Sequence, residues 1–511
     1  MNSKSSMRKL FLFISCALFS IIFSNCSGSS SDSGDKGGAG ESALTITSVF
    51  PAQDAVDVEP DEAVVVTFST DIDPDTISTS TILVSNGQEQ IQGGLAASAN
   101  TVTFTPSPIF SWGTTYTVTV TTGVRDRGGA SAAGDYSWSF TTINAKELGK
   151  WIMVAAGWDN GAAINENGTL WVWGCNYSGQ LGIGTGGDHD EVHRYDSHVP
   201  IQMGVRSDWS DVSLGLHYSL AVRNDGTMWA WGDGYLGDGS TITKKLPVRI
   251  GLDSGWKSVE ASMAHFSLAT STQNTVWSWG LNTYGQLGNG TAGEGQEIRL
   301  PVQIGPDTDW EMLSAGKKHV AAIKADGSLW AWGSNWYGQL GDGTGGDRTV
   351  NHDSPVPVRI GSDSDWRIVS ARGESTMGIK EDGSLWAWGV NQYGQLGDGT
   401  NDAKNVPVRI GDETDWSLVA AGWYHTVAVK NDGTLWAWGA NTHGQFGDGT
   451  AVDRNTPVQV GADADWSTVS AGKDLTFGIK EDGSLWAWGY NNFGQVGDGT
   501  IVDKLVPTRI K

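Results

Sequence analysis

Short apolar runs separated by polar turns fill the last 360 residues of the chain, and the same runs recur about every 50 residues. The best-preserved copy is SLWAWGVNQYGQLGDGT at Ser384–Thr400, built around a Trp-x-Trp-Gly motif that occurs seven times. The motifs begin at Trp171, Trp229, Trp277, Trp330, Trp386, Trp436 and Trp486, with spacings of 58, 48, 53, 56, 50 and 50 residues. Such a period with strand-like content predicts a stacked or closed repeat architecture.

One period contains four apolar runs, which predict four antiparallel strands that we label A to D. In the copy that opens at Trp366, the turn between B and C is Glu381-Asp382-Gly383, and Asp-Gly suits the positive φ angles of tight hairpins. A single four-stranded sheet cannot bury both faces, but seven sheets arranged radially can. The pattern therefore predicts an all-β fold with a seven-bladed β-propeller over residues 144–511.

The Trp-x-Trp motif places two indoles on one side of strand C and a small residue on the other. The middle residue is Ala in five copies, Val172 in the first and Ser278 in the third. We expect this smallness to admit the bulky face of the neighbouring blade. A further Trp opens each period, so most of the 26 tryptophans are predicted to be core. For closure, whole modules are expected to run edge to edge, with the alternative that the last strand or residues 146–150 complete a shared blade.

The N-terminus has the pattern of an export signal. Residues 1–25 place basic residues before the apolar run Leu10–Phe23, which is too short for a membrane helix of about 20 residues. Cys26 follows in a context that resembles a bacterial lipoprotein site, with simple secretion as the alternative. Residues 26–43 are rich in Ser, Gly and Asp and predict a flexible tether. The expected location is the bacterial envelope, anchored by lipid to the outer membrane or cell surface.

Residues 44–143 alternate apolar and polar positions in short strands, with turns every 8 to 12 residues, which predicts a β-sandwich. The segment resembles bacterial immunoglobulin-like domains, whose implied role is spacing or adhesion. The residues that match best are Phe68, Thr105, Pro106, Tyr116, Val124, Asp126, Trp138, Phe140 and Thr142.

The propeller repeats resemble those of the regulator of chromosome condensation family over roughly the last 360 residues. Propellers of this family serve as nuclear exchange factors, as a plant ultraviolet photoreceptor and as a secreted bacterial β-lactamase inhibitor, so the resemblance implies the fold more than the function. An export signal excludes nuclear exchange. The Gly-Trp-x-His-Thr motif of the photoreceptor occurs once, at Gly422–Thr426, which is too few for a tryptophan cluster.

Charge and motif content narrow the function further. A net charge of −24 argues against nucleic acid or an anionic membrane as partner. Cys175 is the single cysteine after Cys26, so we expect no disulfide or thiolate metal cluster, and a packing role for this residue. No nucleophile elbow, zinc-protease or phosphate-loop motif is present. We expect a non-catalytic, monomeric protein that needs no cofactor.

Variation along the repeats is confined to two loops. Between the Gly-Thr or Gly-Ser that follows strand C and the Pro of strand D lie 14, 6, 9, 12, 6, 6 and 6 residues, so every insertion falls in the C–D loop. The A–B loop also varies, whereas the B–C turn is nearly always Asp-Gly. By strand parity the A–B and C–D loops share one face. Loops on a rigid scaffold are common binding sites, although neutral drift would also produce variation.

We expect this face to bind a protein or a glycan, with the exposed aromatic pair Trp423-Tyr424 as anchors, unless these rings plug the mouth of the channel. The predicted partner-binding residues are Trp158, Asp159, Lys317, Lys318, Glu374, Trp423, Tyr424 and Asp474. An enzyme inhibitor of the β-lactamase-inhibitor type is an alternative function.

A second alternative is a metal-dependent module or an enzyme that uses residues 188–198, where imidazoles and carboxylates are dense enough to bind zinc. The predicted ligands are His189, Asp190, His193 and His198. Long polar loops collect such residues without binding metal. Other histidines, His265, His319 and His425, are predicted to share one position of strand B with Tyr218, Ser375 and Leu475, which indicates packing.

Overall fold

A computed structural model describes residues 43–58, 62–106, 110–111, 113–143, 149–187, 195–204, 206–346 and 350–510. The predicted signal peptide, Cys26 and the predicted tether up to residue 42 therefore lie outside the described residues. Residues 44–511 form one compact unit. Its described part is all-β apart from one 3-10 turn at Pro74–Thr76, and no helix in it is long and apolar enough to cross a membrane.

The strands before residue 143 form two four-stranded sheets. Their bounds are β1 Ile46–Phe50, β2 Ala55–Val58, β3 Val64–Phe68, β4 Ile82–Ser85, β5 Gly93–Ser98, β6 Thr101–Pro106, β7 Thr115–Val120 and β8 Tyr136–Thr142. One sheet has the order β1-β3-β6-β5 and the other β2-β8-β7-β4. Alternate residues of both sheets, including Phe68, Tyr116 and Trp138, enter a single core.

Seven more four-stranded sheets follow in the described chain, each formed by four consecutive strands in the order A-B-C-D. Sheet 1 has β9 Trp151–Ala156, β10 Asn160–Asn165, β11 Leu170–Gly174 and β12 Ser197–Gln202; sheet 2 has β13 Trp209–Leu214, β14 Tyr218–Arg223, β15 Met228–Gly232 and β16 Lys244–Ile250; sheet 3 has β17 Trp256–Ala261, β18 Phe266–Ser271, β19 Val276–Gly280 and β20 Ile298–Gln303. Sheet 4 has β21 Trp310–Ala315, β22 His319–Lys324, β23 Leu329–Gly333 and β24 Ser354–Arg359; sheet 5 has β25 Trp366–Arg372, β26 Ser375–Lys380, β27 Leu385–Gly389 and β28 Lys404–Arg409. Sheet 6 has β29 Trp416–Ala421, β30 His425–Lys430, β31 Thr434–Gly439 and β32 Arg454–Ala464; sheet 7 has β33 Trp466–Ala471, β34 Leu475–Lys480, β35 Leu485–Gly489 and β36 Lys504–Arg509. As predicted, a Trp opens every A strand.

In the core between consecutive sheets, indoles of one sheet pack against the small middle residue of the neighbouring Trp-x-Trp motif, as predicted. Ala387 of sheet 5 packs in one cluster with Trp416 and Trp438 of sheet 6. The same kind of cluster joins sheet 7 to sheet 1, where Ala487 meets Trp171 and Trp173. Burying such indoles between sheets provides most of the hydrophobic stabilisation.

Hydrogen bonds repeat at the same junctions. The second indole of the motif donates from Nε1 to the carbonyl of a Gln in the preceding sheet's C–D loop, as in Trp388 to Gln339 at 3.0 Å. The loop can approach because Gly341, at φ +81°, has no side chain, and a Cβ there would stand 2.8 Å from the Trp388 Nε1. Trp173 donates to Gln495 in the same way at 2.9 Å, which joins sheet 7 to sheet 1.

Each sheet is one whole module, as expected, and the last strand does not complete a shared blade. Residues 146–148 lie outside the described residues. Strand β36 pairs only with β35, as the outer strand of its own sheet. Sheets 7 and 1 are joined instead by side-chain packing and by loop bonds, among them Gly499 N–H to the His198 carbonyl at 2.8 Å. Each outer edge carries a Pro at the Pro407 position, which blunts it against further pairing.

Sheet 2 provides an internal test of the junction bond. Its C–D loop is three residues shorter than those of sheets 5 to 7, and Trp279 of sheet 3 has no hydrogen-bond partner for Nε1 among the described residues. Trp279 and Trp388 are both fully buried. Trp388→Phe removes a bond, whereas Trp279→Phe removes an unpaired buried donor. We expect Trp388→Phe to cost about 2 kcal/mol more free energy of unfolding, measured in urea. Equal costs would contradict the role of this bond.

Candidate functional site

The A–B loops occupy one end of the seven sheets. They span residues 157–159, 215–217, 262–265, 316–318, 373–374, 422–424 and 472–474. Strands B and C are antiparallel, so each C–D loop starts at the same end, as shown by the Cys175 N–H that donates to the Asp159 carbonyl at 2.8 Å. The two variable loops therefore share one face, which we call the A–B face.

Two tryptophans meet across this face from loops that are not adjacent in the ring. Trp158 of sheet 1 and Trp423 of sheet 6 pack edge to face, with ring centroids 4.7 Å apart. The Trp423 N–H also donates to the Gly472 carbonyl of sheet 7 at 3.0 Å. The A–B loops of sheets 6, 7 and 1 consequently form one packed cluster.

The expectation that Trp423 and Tyr424 form an exposed pair is wrong for the tryptophan. Trp423 is only 8% exposed, and Tyr424 is half-buried. The Trp158 edge lies on one side of the Trp423 ring, and the Lys317 ammonium lies 4.7 Å from its centroid. Trp423 is therefore a packing residue, which was the alternative to an exposed anchor. Neighbouring side chains provide the accessible surface beside it.

Five of the eight predicted residues line one cavity of about 360 Å³. Its lining residues are Lys317, Lys318, Tyr337, Gly373, Glu374, Val390, Gln392, Trp423 and Tyr424. Lys317 Nζ lies 3.7 Å from Glu374 Oε1, and Lys318 Nζ donates to the Tyr284 hydroxyl at 3.0 Å. The A–B loops of sheets 4 to 6 and the first C–D residues of sheets 4 and 5 therefore build a single concave, polar and aromatic site.

The other three predicted residues lie beside this cavity, at sheets 7 and 1. Trp158 connects these residues to the cavity, since its ring contacts Trp423 and its ring centroid lies 4.9 Å from Lys473 Nζ. Asp159 accepts a long hydrogen bond from Gln495 Nε2 at 3.4 Å, and Lys473 pairs with Asp474 at 3.6 Å. Burial raises the pKa of Asp159 to about 7, with Lys473 opposing the shift, and burial also raises the pKa of Asp474.

Sequence reasoning missed Arg372, which crosses the ring from sheet 5. Its Nη2 donates to the Ala156 carbonyl of sheet 1 at 2.5 Å. Burial lowers the pKa of Arg372 to about 10 against the attraction of Glu260, and burial raises the pKa of Glu260 to about 8. The signal was available, because Arg372 stands where the other A–B loops have Gly or Ser.

The neighbouring Ser375 explains why an arginine is tolerated there. At the equivalent Gly316 of sheet 4, a Cβ would lie 2.2 Å from the His319 ring. Sheet 5 begins strand B with Ser375 in place of that imidazole, so the longer side chain fits. One small residue thus permits a buried arginine within the inner ring of A strands.

Two of the three strand B histidines are packing residues, as predicted. His319 Nε2 lies 2.9 Å from Thr376 Oγ1 of the next sheet, and His425 Nε2 lies 3.0 Å from Thr476 Oγ1. Burial lowers the pKa of both to about 3, so both remain neutral. The alignment of His265 with them is wrong, because sheet 3 has one extra loop residue and Phe266 pairs where His319 does.

Three of the four proposed metal ligands, His189, Asp190 and His193, lie outside the described residues. His198 lies on β12, where its ring packs against Gly494 at the junction of sheets 7 and 1. In the part of the chain that the structure describes, no group of three or more His, Cys, Asp or Glu residues could hold a metal ion. Metal binding by residues 188–198 stays a prediction.

A family model of the RCC1-like domain matches residues 80–410, more than half of the chain. The chain belongs to the RCC1-like domain family. Models of the regulator of chromosome condensation (RCC1) repeat also match residues 416–445 and 466–495, and residues 432–479 and 482–511. The RCC1-like match begins at residue 80, within the two N-terminal sheets, whereas the repeated sheets begin at Trp151, and we take the sheet topology as the better guide to the boundary.

The RCC1-like chain is 32% identical over 278 residues to the ultraviolet-B receptor UVR8 of Arabidopsis thaliana, covering 53% of this chain and 61% of the receptor. It therefore spans less than two thirds of that relative. Human WBSCR16 superposes with a TM-score of 0.59 at 21% identity, covering 67% of this chain and 94% of WBSCR16. Prp20p from Saccharomyces cerevisiae superposes with 0.56 at 22%, covering 67% of this chain and 87% of Prp20p. At these identities the structures establish the propeller-type fold alone.

Asp159 should make the stability of this RCC1-like chain depend on pH. Burial raises its pKa from the ordinary aspartate value of 3.8 to about 7 in the folded protein, so the folded state holds the proton more tightly and loses stability as pH rises from about 4 to 7. We expect Asp159→Asn to raise the free energy of unfolding by roughly 1–3 kcal/mol at pH 8, after allowance for solvent screening, and to change it little at pH 4. Denaturant titrations at both pH values test this, and an equal effect at both would contradict the assignment.

Proposed function

We propose that this protein is a non-catalytic binding scaffold that holds a protein partner on its A–B face. The observation that carries the proposal is the convergence of five predicted residues from three A–B loops on one cavity of about 360 Å³. Rigid sheets hold these loops, and the loops vary while the opposite turns repeat. The seven sheets act as blades of a closed propeller, and residues 44–143 act as an immunoglobulin-like spacer.

The chemistry of the face suits a protein surface. Tyr393 and Tyr424 pack 4.8 Å apart and offer amphipathic rings, which are common interface anchors. Lys317, Lys318 and Glu374 supply charges of both signs around them. A partner with acidic and apolar side chains would complement this combination, and charge pairs at such a rim mainly set specificity and association rate.

Solved structures of the same fold support the proposal that the partner is a protein. Prp20p has binding properties to Gsp1p and histones, and it has been crystallised bound to Kap60. The identity of the partner does not transfer at this level of similarity. What transfers is the use of this propeller-type fold as a protein-binding surface.

The proposed location is the bacterial envelope, with the lipid carried by Cys26 and the folded part displaced from the membrane by residues 26–43. The order of a basic segment, a short apolar run, a cysteine and a polar tether supports this proposal. A tethered scaffold would search only the surface near the membrane, which raises the effective concentration of a partner anchored there.

Lipidation predicts a simple partitioning result. Cys26→Ala should move the exported protein from the detergent phase to the aqueous phase in a phase-separation assay, because the acyl chains supply the hydrophobic attachment. Cys16→Ala, which alters a cysteine inside the proposed signal, serves as the matched control and should partition as the wild type does. Unchanged partitioning of Cys26→Ala would contradict the anchor.

The face assignment predicts an asymmetry between two charge-reversed proteins. In the full chain, Lys317→Glu with Lys318→Glu should lower the affinity for a captured protein about tenfold or more, since these ammonium groups line the cavity. The matched control, Glu381→Lys with Glu481→Lys, changes two exposed residues of the B–C turns and should bind within about twofold of wild type. Loss in the control with retention in the cavity variant would reverse the assignment.

A further inference from the structure

Sheets 4 to 7 share an aromatic corner that holds a lysine of their own strand B. The lysine Nζ lies 4.7–5.1 Å from the centroids of two Trp rings, one from the start of strand A and one from the Trp-x-Trp motif. In sheet 4 these are Lys324, Trp310 and Trp330. Each of these lysines is at most 8% exposed. The corner is therefore a binding site for an alkylammonium group that the protein fills from within.

Carboxylates complete the corner. Lys324 Nζ lies 2.7 Å from Asp307 and 3.1 Å from Asp309, two residues just before strand A. Sheets 5 and 7 repeat the pair with distances of 2.6–3.0 Å. Sheet 2 uses Arg223, whose guanidinium carbon lies 3.8 Å from the Trp229 centroid. Aromatic faces and carboxylates together favour an organic cation.

Sheet 3 keeps the corner and replaces the cation. Trp256 and Trp277 meet edge to face at 5.5 Å, as their counterparts do, but Ser271 pairs with Trp256 where sheets 4 to 7 have lysine. At the same position sheet 2 has Arg223 and sheet 1 has Asn165. A cavity of about 290 Å³ opens there, lined by both indoles, Ser271, Thr275 and Asp253. Asp253 corresponds to Asp307 of sheet 4, and Gly255 stands in place of the second carboxylate.

We propose that this cavity of sheet 3, which we call the notch, binds a primary alkylammonium group supplied by a ligand. A lysine side chain ends in such a group. The internal lysines show the pose, with the ammonium between two rings and a carboxylate. The notch lies at the B–C turns, opposite the A–B face, so it is a second site and does not rest on the function proposed above.

The chain's own cations nearby leave the notch to a ligand. Lys257 Nζ is engaged elsewhere, since it donates to Asn274 Oδ1 at 3.3 Å. Arg249 donates to the Leu252 carbonyl at 2.7 Å. The equivalent Arg359 makes the same kind of bond beside the lysine-filled corner of sheet 5, so an arginine at this position is compatible with an ammonium group.

The test uses the full chain labelled with 5-fluorotryptophan, with the Trp256 and Trp277 resonances assigned by Trp256→Phe and Trp277→Phe. Addition of n-butylammonium should shift both resonances with saturation, whereas n-butanol, which matches its length without charge, should not. Absence of a saturable shift, or an equal shift with n-butanol, would overturn the proposal.

Two substitutions act in opposite directions. Ser271→Lys should fill the notch from within, as in the sister sheets, and weaken butylammonium binding about tenfold or more. Lys324→Ser should create a new response at Trp310 and Trp330, where both carboxylates remain. Asp253→Asn should weaken binding about threefold, the scale of an exposed ion pair. Undiminished binding to Ser271→Lys would place the cation elsewhere and overturn the proposal.

The source of the amine is settled by a second probe. A capped pentapeptide with one central lysine should shift the same resonances if the ligand is a lysine of another protein, and its Nε-acetylated form should not. A response to butylammonium alone identifies a small free amine as the ligand and also supports the proposal. A response to the acetylated peptide as strong as to the lysine peptide would overturn it.

Discussion

Contact between successive sheets is the constraint on which the rest of this structure depends. Each sheet presents indoles on one side and a small residue on the other, so it can bury its bulky side only against a neighbour. The second indole adds a directed bond to that contact, and glycines at positive φ let the loop carbonyl reach it. Sheet 7 satisfies sheet 1 by the same contacts as any internal pair, so closure needs no exchanged strand.

This constraint divides the surface into parts that can vary and parts that cannot. In every C–D loop except that of sheet 2, the Gln-containing half is fixed because its carbonyl accepts a hydrogen bond from an indole, and the B–C turn is fixed by the hairpin. The A–B loop and the inserted part of the C–D loop neither accept the indole hydrogen bond nor form the tight hairpin. Their length and chemistry can therefore change. Departures from the repeat are then informative. Arg372 at a glycine position crosses the inner ring, and Ser271 at a lysine position opens a notch.

Much of the fold was readable from the sequence because its determinants are local and repeated. Trp at the start of each A strand, Asp-Gly between B and C, and Trp-x-Trp in strand C predicted the strands and the face that carries the variable loops. Side-chain exposure was not readable, since Trp423 is covered by Trp158 from a loop some 265 residues away in sequence. The particular bonds of the closing junction were not readable either, because they join the two ends of the repeat array and no single period shows them.

Hydrogen exchange of the full chain, free and bound to a captured protein, tests the central claim that the repeated junctions leave one face to carry binding. On binding, we expect added protection of the A–B loop peptides around Gly373 and Trp423 and of the first C–D residues near Tyr337. Exchange at the B–C turns of sheets 4 to 7 should not change. Protection of those turns with unchanged A–B loops would contradict it.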